Sequence, residues 1–283
     1  MIALEPDDPR YPPRLRDLRD PPAPLWVDGD VEALHARAVG IVGTRRLTPY
    51  GARVARELAG AVAAAGVVVI SGLAQGVDSC AHEAALDADG ATVAVLGGGI
   101  VACRRELNGR RRRLAHAIRA RGALVSEFPP DAPPRRWTFA QRDATIAALG
   151  EITIVVEAPA DSGALITATE AERLARPLFS VPGPIGVRAS VGTNALIASG
   201  RARALTGATI VLEALGVEAR DDAPRARDDI TSAVLDALAA GPASPDVLAR
   251  QLGRDVTTLA TVLARLLLSG DVSAGADGRF ARR

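Results

Sequence analysis

Four stretches of this chain combine small residues, hydroxyls and arginines at spacings suited to capturing an anion. The first is Gly43-Thr44-Arg45-Arg46, the second Ser71-Gly72-Leu73-Ala74-Gln75-Gly76-Val77-Asp78, and the third Gly97-Gly98-Gly99. Each follows a short apolar run and precedes a stretch of helical composition. A strand-to-helix turn of this kind exposes backbone N–H groups and a helix N-terminus, both favourable to a phosphate. Glycine lets the backbone approach closely, and the Arg45 guanidinium can offer two parallel hydrogen bonds to phosphate oxygens. A fourth loop, 157–167, adds Ser162, Gly163 and Thr167, with Asp161 or Ser162 placed to cap the helix that follows. One such loop reads equally well as a tight turn; three in succession favour an anion site.

Charge reinforces that reading. Between Arg104 and Arg142 there are eleven arginines against Glu106, Glu127 and Asp131, a local excess of eight positive charges in a chain whose net charge is +1. The run includes Arg104, Arg105 and Arg110 to Arg113, then Arg135 and Arg136 beside Trp137 and Phe139, and finally Arg142. Arginine interleaved with aromatics, in a chain only 3% aromatic, is the composition of a groove in which bases stack and phosphates pair. The alternative is a solvated charged face.

Other chemistries find less support. The chain has no lysine, which excludes a complete Walker A loop, a Schiff-base lysine and a lysine general base. The glycines do not follow Gly-x-Gly-x-x-Gly, and Ser71 stands where a dinucleotide site would end its second strand in an acid. His35, His82 and His116 are scattered; only His82, four residues after Asp78, shares a helical face with a candidate loop residue, and a structural hydrogen bond is the simpler role. Cys80 and Cys103 lack the spacing of a zinc site, so no metal and no cofactor is expected. Two cysteines suit a reducing compartment. No signal-like segment or long apolar run is evident, so the expectation is a cytoplasmic protein without a membrane partner.

These loops need a scaffold. Apolar runs at Val39–Val42, Val67–Ile70, Thr92–Leu96, Ala123–Ser126, Ile152–Val156 and Leu178–Val181 alternate with helical stretches at Tyr50–Ala65, Ser79–Ala88, Leu114–Arg121 and Ile166–Ala175. Gly66 and Gly122 stop two of those helices. The alternation predicts an α/β fold with a doubly wound, mainly parallel sheet over 38–215. Residues 1–37, rich in Pro, Arg and Asp, read as an extended lead-in with one helical turn, packed on that core. A charged, Pro-containing stretch at 216–229 reads as a linker. Beyond it, three helical patterns at Ile230–Ala240, Ser244–Gln251 and Val256–Ser269, then a hairpin over 271–280 turned at Ala276, Asp277 and Gly278, predict a winged helix at 230–283. With 283 residues, a large domain and a small companion is the organisation expected at about 100–200 residues per domain.

The ordered segments Tyr11-Pro12, Ile41-Val42-Gly43-Thr44-Arg45, Tyr50-Gly51, Ser71-Gly72-Leu73-Ala74-x-Gly76-Val77-Asp78-x-x-Ala81-His82, Ser126-Glu127-Phe128-Pro129-Pro130, Ser162-Gly163-Ala164-Leu165-Ile166-Thr167-Ala168, Val181-Pro182-Gly183 and Gly192-Thr193-Asn194 resemble the DNA-processing protein A family, DprA or Smf. The resemblance covers residues 10–215. It implies a Rossmann-like domain that binds single-stranded DNA and helps load the RecA recombinase during natural transformation, catalysing no reaction, in a homodimer. It also implies that Arg45 clasps a phosphate, that Arg136 stands at a basic position, that Phe139 stacks a base and that Arg142 lines the same pocket. The family pattern Phe-Pro-x-Arg-Asn-Arg-x-Ile is altered here to Phe139-Ala140-Gln141-Arg142-Asp143-Ala144-Thr145-Ile146: one arginine is lost and an acid replaces the asparagine.

The resulting candidate DNA contacts are Gly43, Thr44, Arg45, Ser71, Gly72, Gly76, Gly97, Gly98, Arg104, Arg105, Arg136, Phe139, Arg142, Ser162, Gly163 and Thr167. The rival is an enzyme acting on a nucleotide-derived ligand, with Glu157, Asp78 and Glu170 as its acids; it requires a closed pocket with a carboxylate near the ribose. A duplex-reading winged helix is weaker, because residues 228–283 hold six arginines against seven acids and phosphate neutralisation dominates DNA affinity.

Overall fold

The computed structural model describes residues 1–218, 229–239, 241–269, 271–275 and 278–282. Most of the stretch expected as a linker, and the hairpin positions Ala276 and Asp277, lie outside the described residues. The chain divides into two compact units, Met1–Ala223 and Pro224–Arg283.

In the first unit the elements run β1 (Ile2–Leu4), β2 (Leu25–Gly29), β3 (Ala38–Val42), α1 (Pro49–Ala64), β4 (Val68–Ser71), α2 (Val77–Asp87), β5 (Thr92–Leu96), α3 (Ile100–Glu106), α4 (Gly109–Arg121), β6 (Ala123–Ser126), α5 (Arg136–Leu149), β7 (Ile152–Val155), α6 (Ala164–Arg173), β8 (Leu178–Ser180), α7 (Val191–Ala198), β9 (Arg203–Ala204) and α8 (Ala208–Leu215). Among the described residues they build one nine-stranded sheet in the order β1-β2-β6-β5-β4-β3-β7-β8-β9. All neighbours are parallel except β1 with β2 and β2 with β6. This is the Rossmann-like doubly wound sheet expected, widened at one edge.

The strands at its centre are apolar throughout because helices cover both faces. Along β3, Ala38 and Val42 join one core while Val39 and Ile41 join the other, the period-two alternation of a pleated strand. On one face the core takes Ala55, Leu58 and Val62 of α1, Ala81 and Ala85 of α2 and Val211 and Leu212 of α8. The opposite face takes Ile146 to Leu149 of α5 and Ala164, Ala168 and Ala171 of α6. Each fully buried Leu or Ile contributes about 1.5–3 kcal/mol.

The lead-in is more structured than its composition suggests. It supplies β1 and β2, and the 3-10 turn Pro13–Asp17 buries Leu15 beside Tyr11, whose hydroxyl donates to Pro22 O at 2.9 Å. Four helices, α3, α5, α7 and α8, stand where the sequence patterns indicate none, and α5 proves central to the site.

The second unit contains α9 (Asp229–Ala239), α10 (Pro245–Leu252), α11 (Val256–Ser269), β10 (Val272–Ala274) and β11 (Phe280–Arg282). β10 and β11 pair antiparallel, and Val234, Leu238, Leu248, Leu259, Leu263 and Val272 form its own small core. Three helices followed by a two-stranded wing is the winged-helix arrangement.

Candidate nucleic-acid interface

Strand order reverses at one place. From β3 the chain winds through β4, β5 and β6 to one side, then crosses to β7, on the other side of β3, and on to β8. The loops leaving β3 and β7 therefore diverge, and ligands of open α/β sheets lodge in the crevice this opens at the strands' carboxyl ends. A cleft of about 920 Å³ sits there. Its walls come from the loop after β3 (Gly43, Thr44, Arg45, Arg46, Thr48), Ala74 and Asp78 after β4, the N-terminal half of α5 (Arg136, Phe139, Ala140, Arg142, Asp143), the loop into α6 (Pro159, Asp161, Ser162, Gly163), Ile166 and Thr167 of α6, and Val187 to Ala189.

Backbone contacts fix the first loop. Thr44 N donates to Glu157 O at 2.7 Å, and Val77 N donates to Thr44 O at 3.2 Å, so this loop is clamped between those that follow β7 and β4. A Cβ on Gly43 would lie 2.5 Å from Val77 Cγ2, and one on Gly76, whose φ is +92°, would lie 2.2 Å from Thr44 O. Only glycine permits that closeness. Thr48 caps α1 by accepting from Gly51 N at 3.1 Å, and it donates its hydroxyl to Glu157 Oε1 at 2.5 Å while its N–H bonds Oε2 at 3.0 Å. Both oxygens of the buried Glu157 are thus engaged by Thr48 at the start of α1.

Helix α5 supplies the opposite wall. Thr138, third residue of the helix, accepts from Arg135 N at 2.9 Å and donates to Gly97 O, anchoring the helix start to the end of β5. Phe139 and Arg142 are three residues apart and share a helical face. Each is seated on a glycine: a Cβ on Gly97 would lie 2.6 Å from Phe139 Cδ1, and one on Gly72 would lie 1.5 Å from Arg142 Nη1. Gly98 and Gly99 similarly leave room for Pro134 and for the carbonyls of Pro129 and Pro130. Two guanidiniums then lie near the Phe139 ring, Arg45 at 5.7 Å and Arg142 at 6.0 Å from its centroid. Cations at this range are attracted to the ring quadrupole.

The acids of the cleft are subordinate to Arg142. That arginine is buried, with Nη1 3.9 Å from Asp78 Oδ2 and Nε 3.4 Å from Asp143 Oδ1. Its Nε has no hydrogen-bond partner among the described residues, and neither has the buried Thr167 hydroxyl. Burial pushes the Asp78 carboxyl up against the opposing pull of Arg142, with Ala74 N donating to it at 3.3 Å. Burial likewise raises Asp143 to about 6, opposed by Arg142 and assisted by Asp78. His82 bonds not Asp78 but Thr92: its Nδ1 lies 2.6 Å from a hydroxyl that itself donates to Val69 O. Nδ1 is therefore the protonated nitrogen, and burial, with Arg142 nearby, brings His82 down to about 3. No cluster of metal-ligating side chains occurs among the described residues.

Of the residues singled out in the sequence, Gly43, Thr44, Arg45, Arg136, Phe139, Arg142, Ser162, Gly163 and Thr167 line this one cleft. Ser71, Gly72, Gly76, Gly97 and Gly98 stand behind its walls; Ser71 is buried and donates to Ile41 O at 2.6 Å. Arg104 and Arg105 lie apart on α3, 3.3 Å from Asp28 and 3.1 Å from Asp131. Ion pairs thin the basic run further: Arg119 meets Asp28 at 2.8 Å, Arg110 meets Glu83 at 2.7 Å and Arg121 meets Asp89 at 2.8 Å. Sequence reasoning passes over Arg188, which enters from the loop after β8 and pairs with Asp161 at 3.2 Å; the Pro-Gly segment 182–186 is its only signal.

Comparison with known proteins agrees with this architecture. Residues 3–216 match the model of the DNA recombination-mediator protein A family, and residues 218–278 match the DprA winged helix domain. The chain is 37% identical over 281 residues to the protein Smf of Escherichia coli, covering 95% of this chain and 74% of that one. It spans half to three quarters of the length of several curated relatives it matches. The DNA processing protein A of Streptococcus pneumoniae superposes with a TM-score of 0.70 at 32% identity, over 75% of this chain and 73% of that chain. The Helicobacter pylori protein, whose structure describes a single-stranded DNA binding mode, superposes with a TM-score of 0.67 at 29% identity, over 76% of this chain and 94% of that one. On these matches, this chain belongs to the DNA recombination-mediator protein A family, known as DprA or Smf.

Proposed function

We propose that this chain binds single-stranded DNA in the cleft at the sheet's switch point and, as a cytoplasmic homodimer, protects the incoming strand and helps load the RecA recombinase during natural transformation, with no reaction catalysed by the chain itself. One observation carries the reading: Phe139 lines the cleft as an aromatic stacking partner with two guanidiniums, those of Arg45 and Arg142, within 6.0 Å of its ring centroid. Stacking tolerates any base, and guanidiniums take the phosphates that connect them. Arg46, Arg136 and Arg188 extend the cationic lining. Thr44, Ser162 and Thr167 add hydroxyls, Gly43 and Gly163 expose backbone, and Ser71, Gly72, Gly76, Gly97 and Gly98 shape the walls from behind. Arg104 and Arg105 contribute to the field from α3.

Against the nucleotide-hydrolysing alternative, both Glu157 oxygens are bonded to Thr48. Asp78 lines the cleft but is almost wholly buried, 3.9 Å from Arg142 Nη1, and Glu170 pairs with Arg173 at 2.6 Å. The test is equilibrium binding of fluorescent oligo-dT against a duplex of equal length, across a salt series, for the parent and Arg45→Ala. A preference for the single strand, with a salt slope that Arg45→Ala flattens by about one phosphate contact, is the expected result. Binding indifferent to Arg45 would remove the phosphate role assigned to it.

A further inference from the structure

Trp137 is the largest exposed aromatic of the described residues, 59% accessible, beside a cleft whose other aromatic is half-buried. It is braced without being covered. The ring meets Phe128 edge to face at 5.7 Å and 81°, and Phe128 is itself buried, with its N–H bonded to Ser126 Oγ at 3.0 Å. At 59% exposure the braced indole keeps ring surface open for an aromatic partner.

Its position on α5 says what that partner is. Arg136, Phe139, Ala140 and Asp143 line the cleft, the i, i+3, i+4, i+7 face of the helix. Trp137 follows Arg136 by one residue, about 100° further round and about 3.8 Å away along the chain. A polymer leaving the cleft past Arg136 meets the indole within one or two monomers. Arg135 and Arg136 make no ion pair among the described residues, so two exposed guanidiniums stand just before the ring on the chain. A neutral protein partner would leave them without a role; a polyanion with flat apolar side groups uses both the cations and the ring.

Resting on the single-stranded DNA reading above, we propose that Trp137 is a second stacking station, taking a base of the strand just after it leaves the cleft, while Arg135 and Arg136 hold phosphates between the cleft and that base. The site extends the footprint beyond the Phe139 pocket and, since stacking reads no base edges, adds affinity without sequence preference.

The experiment uses the full chain and a ladder of fluorescent oligo-dT lengths, with fluorine NMR of protein carrying 5-fluorotryptophan. The chain has two tryptophans, so the Trp137→Phe variant assigns the two resonances. Trp137→Ala is expected to weaken binding about tenfold for long oligonucleotides, the lower range for one stacked base, and to leave the shortest that fill the cleft unaffected. Trp137→Phe is expected to restore most of the loss, and the Trp137 resonance to shift on adding long oligo-dT. Equal loss at every length would mean a structural role and overturn the proposal, as would parent-like binding by Trp137→Ala or an unmoved resonance. Failure of the parent to bind any oligo-dT would overturn this inference together with the reading it rests on; binding by a parent whose affinity ignores Trp137 would overturn the inference alone.

Discussion

Asp143 offers the sharpest test of the cleft's electrostatics, because it places a carboxylate where phosphates are expected to go. Its side chain is 12% exposed and 3.4 Å from Arg142 Nε, and burial raises its pKa to about 6. Above pH 6 the group is ionised and opposes an incoming phosphodiester; below pH 6 it takes up a proton and the opposition ends. A phosphate held by Arg142 or Arg45 would stand about 7 Å from the carboxylate, and at an effective dielectric constant of about 40 two unit charges at that distance interact by about 1 kcal/mol. The affinity for oligo-dT is therefore expected to rise about fivefold as pH falls from 7.5 to 5. The isosteric Asp143→Asn removes the charge at every pH: it should bind about fivefold more tightly than the parent at pH 7.5 and show a flat profile between 5 and 7.5. Fluorescence anisotropy at fixed ionic strength reads both. His82, at about 3, stays neutral throughout that window and does not confuse the result. A pH profile that Asp143→Asn leaves unchanged would refute the reasoning, because it would mean that the strand does not approach this carboxylate.

Two further outcomes follow from the packing. Gly97→Ala places a Cβ 2.6 Å from Phe139 Cδ1 and must push the ring from its seat, so oligo-dT binding should fall about tenfold, and Gly97→Ala combined with Phe139→Ala should be no worse than Phe139→Ala alone; additive losses in a double-mutant cycle would disprove the seating argument. His82, buried and brought from 6.5 to about 3, makes the fold acid-sensitive: the unfolded chain takes up a proton that the folded chain refuses, so stability is full above pH 6.5 and falls by up to about 5 kcal/mol as pH approaches 3. His82→Gln should flatten that acid limb in a series of urea melts, and an unaltered limb would assign it to other groups.

How much of this was legible in the sequence varies with the range of the interaction involved. The six central strands and seven of the helices, four in the first unit and three in the second, are written in local patterns, apolar runs against 3.6-residue spacing, and the structure places them within about five residues of those bounds. β1 and β2 are not so written, because three- and five-residue strands among prolines acquire their identity from pairing with each other and with β6, a partner about a hundred residues away. Helix α5 hides for a related reason: its buried residues include Thr138, Arg142, Asp143 and Thr145, polar groups packed against the loops, so no clean apolar stripe marks it. The glycines mislead in an instructive way. Gly72, Gly97 and Gly98 signal close approach, and close approach occurs, but the groups approaching are Arg142, Phe139 and Pro134 of the same chain. A missing Cβ admits a ligand or a side chain equally, and only the strand order that brings α5 across the ends of β4 and β5 decides between them.

The altered Phe139 to Ile146 segment changes meaning once α5 is seen end-on. Asp143, where the family pattern has Asn, lies in the cleft; Ala144, where the pattern has its second Arg, lies outside the cleft lining. Seven residues separate Ala144 from Trp137, so the two occupy nearly one face of the helix, about two turns apart. The substitution thus removes a cation from the Trp137 face and leaves the pocket with Arg45, Arg46, Arg136, Arg142 and Arg188. On that outer face, binding would rest more on stacking and less on phosphate pairing. Ala144→Arg should therefore steepen the salt dependence of long oligo-dT binding by about one phosphate contact while leaving short oligonucleotides unaffected. An equal effect at both lengths would place residue 144 within reach of the cleft and undo the separation of the two faces.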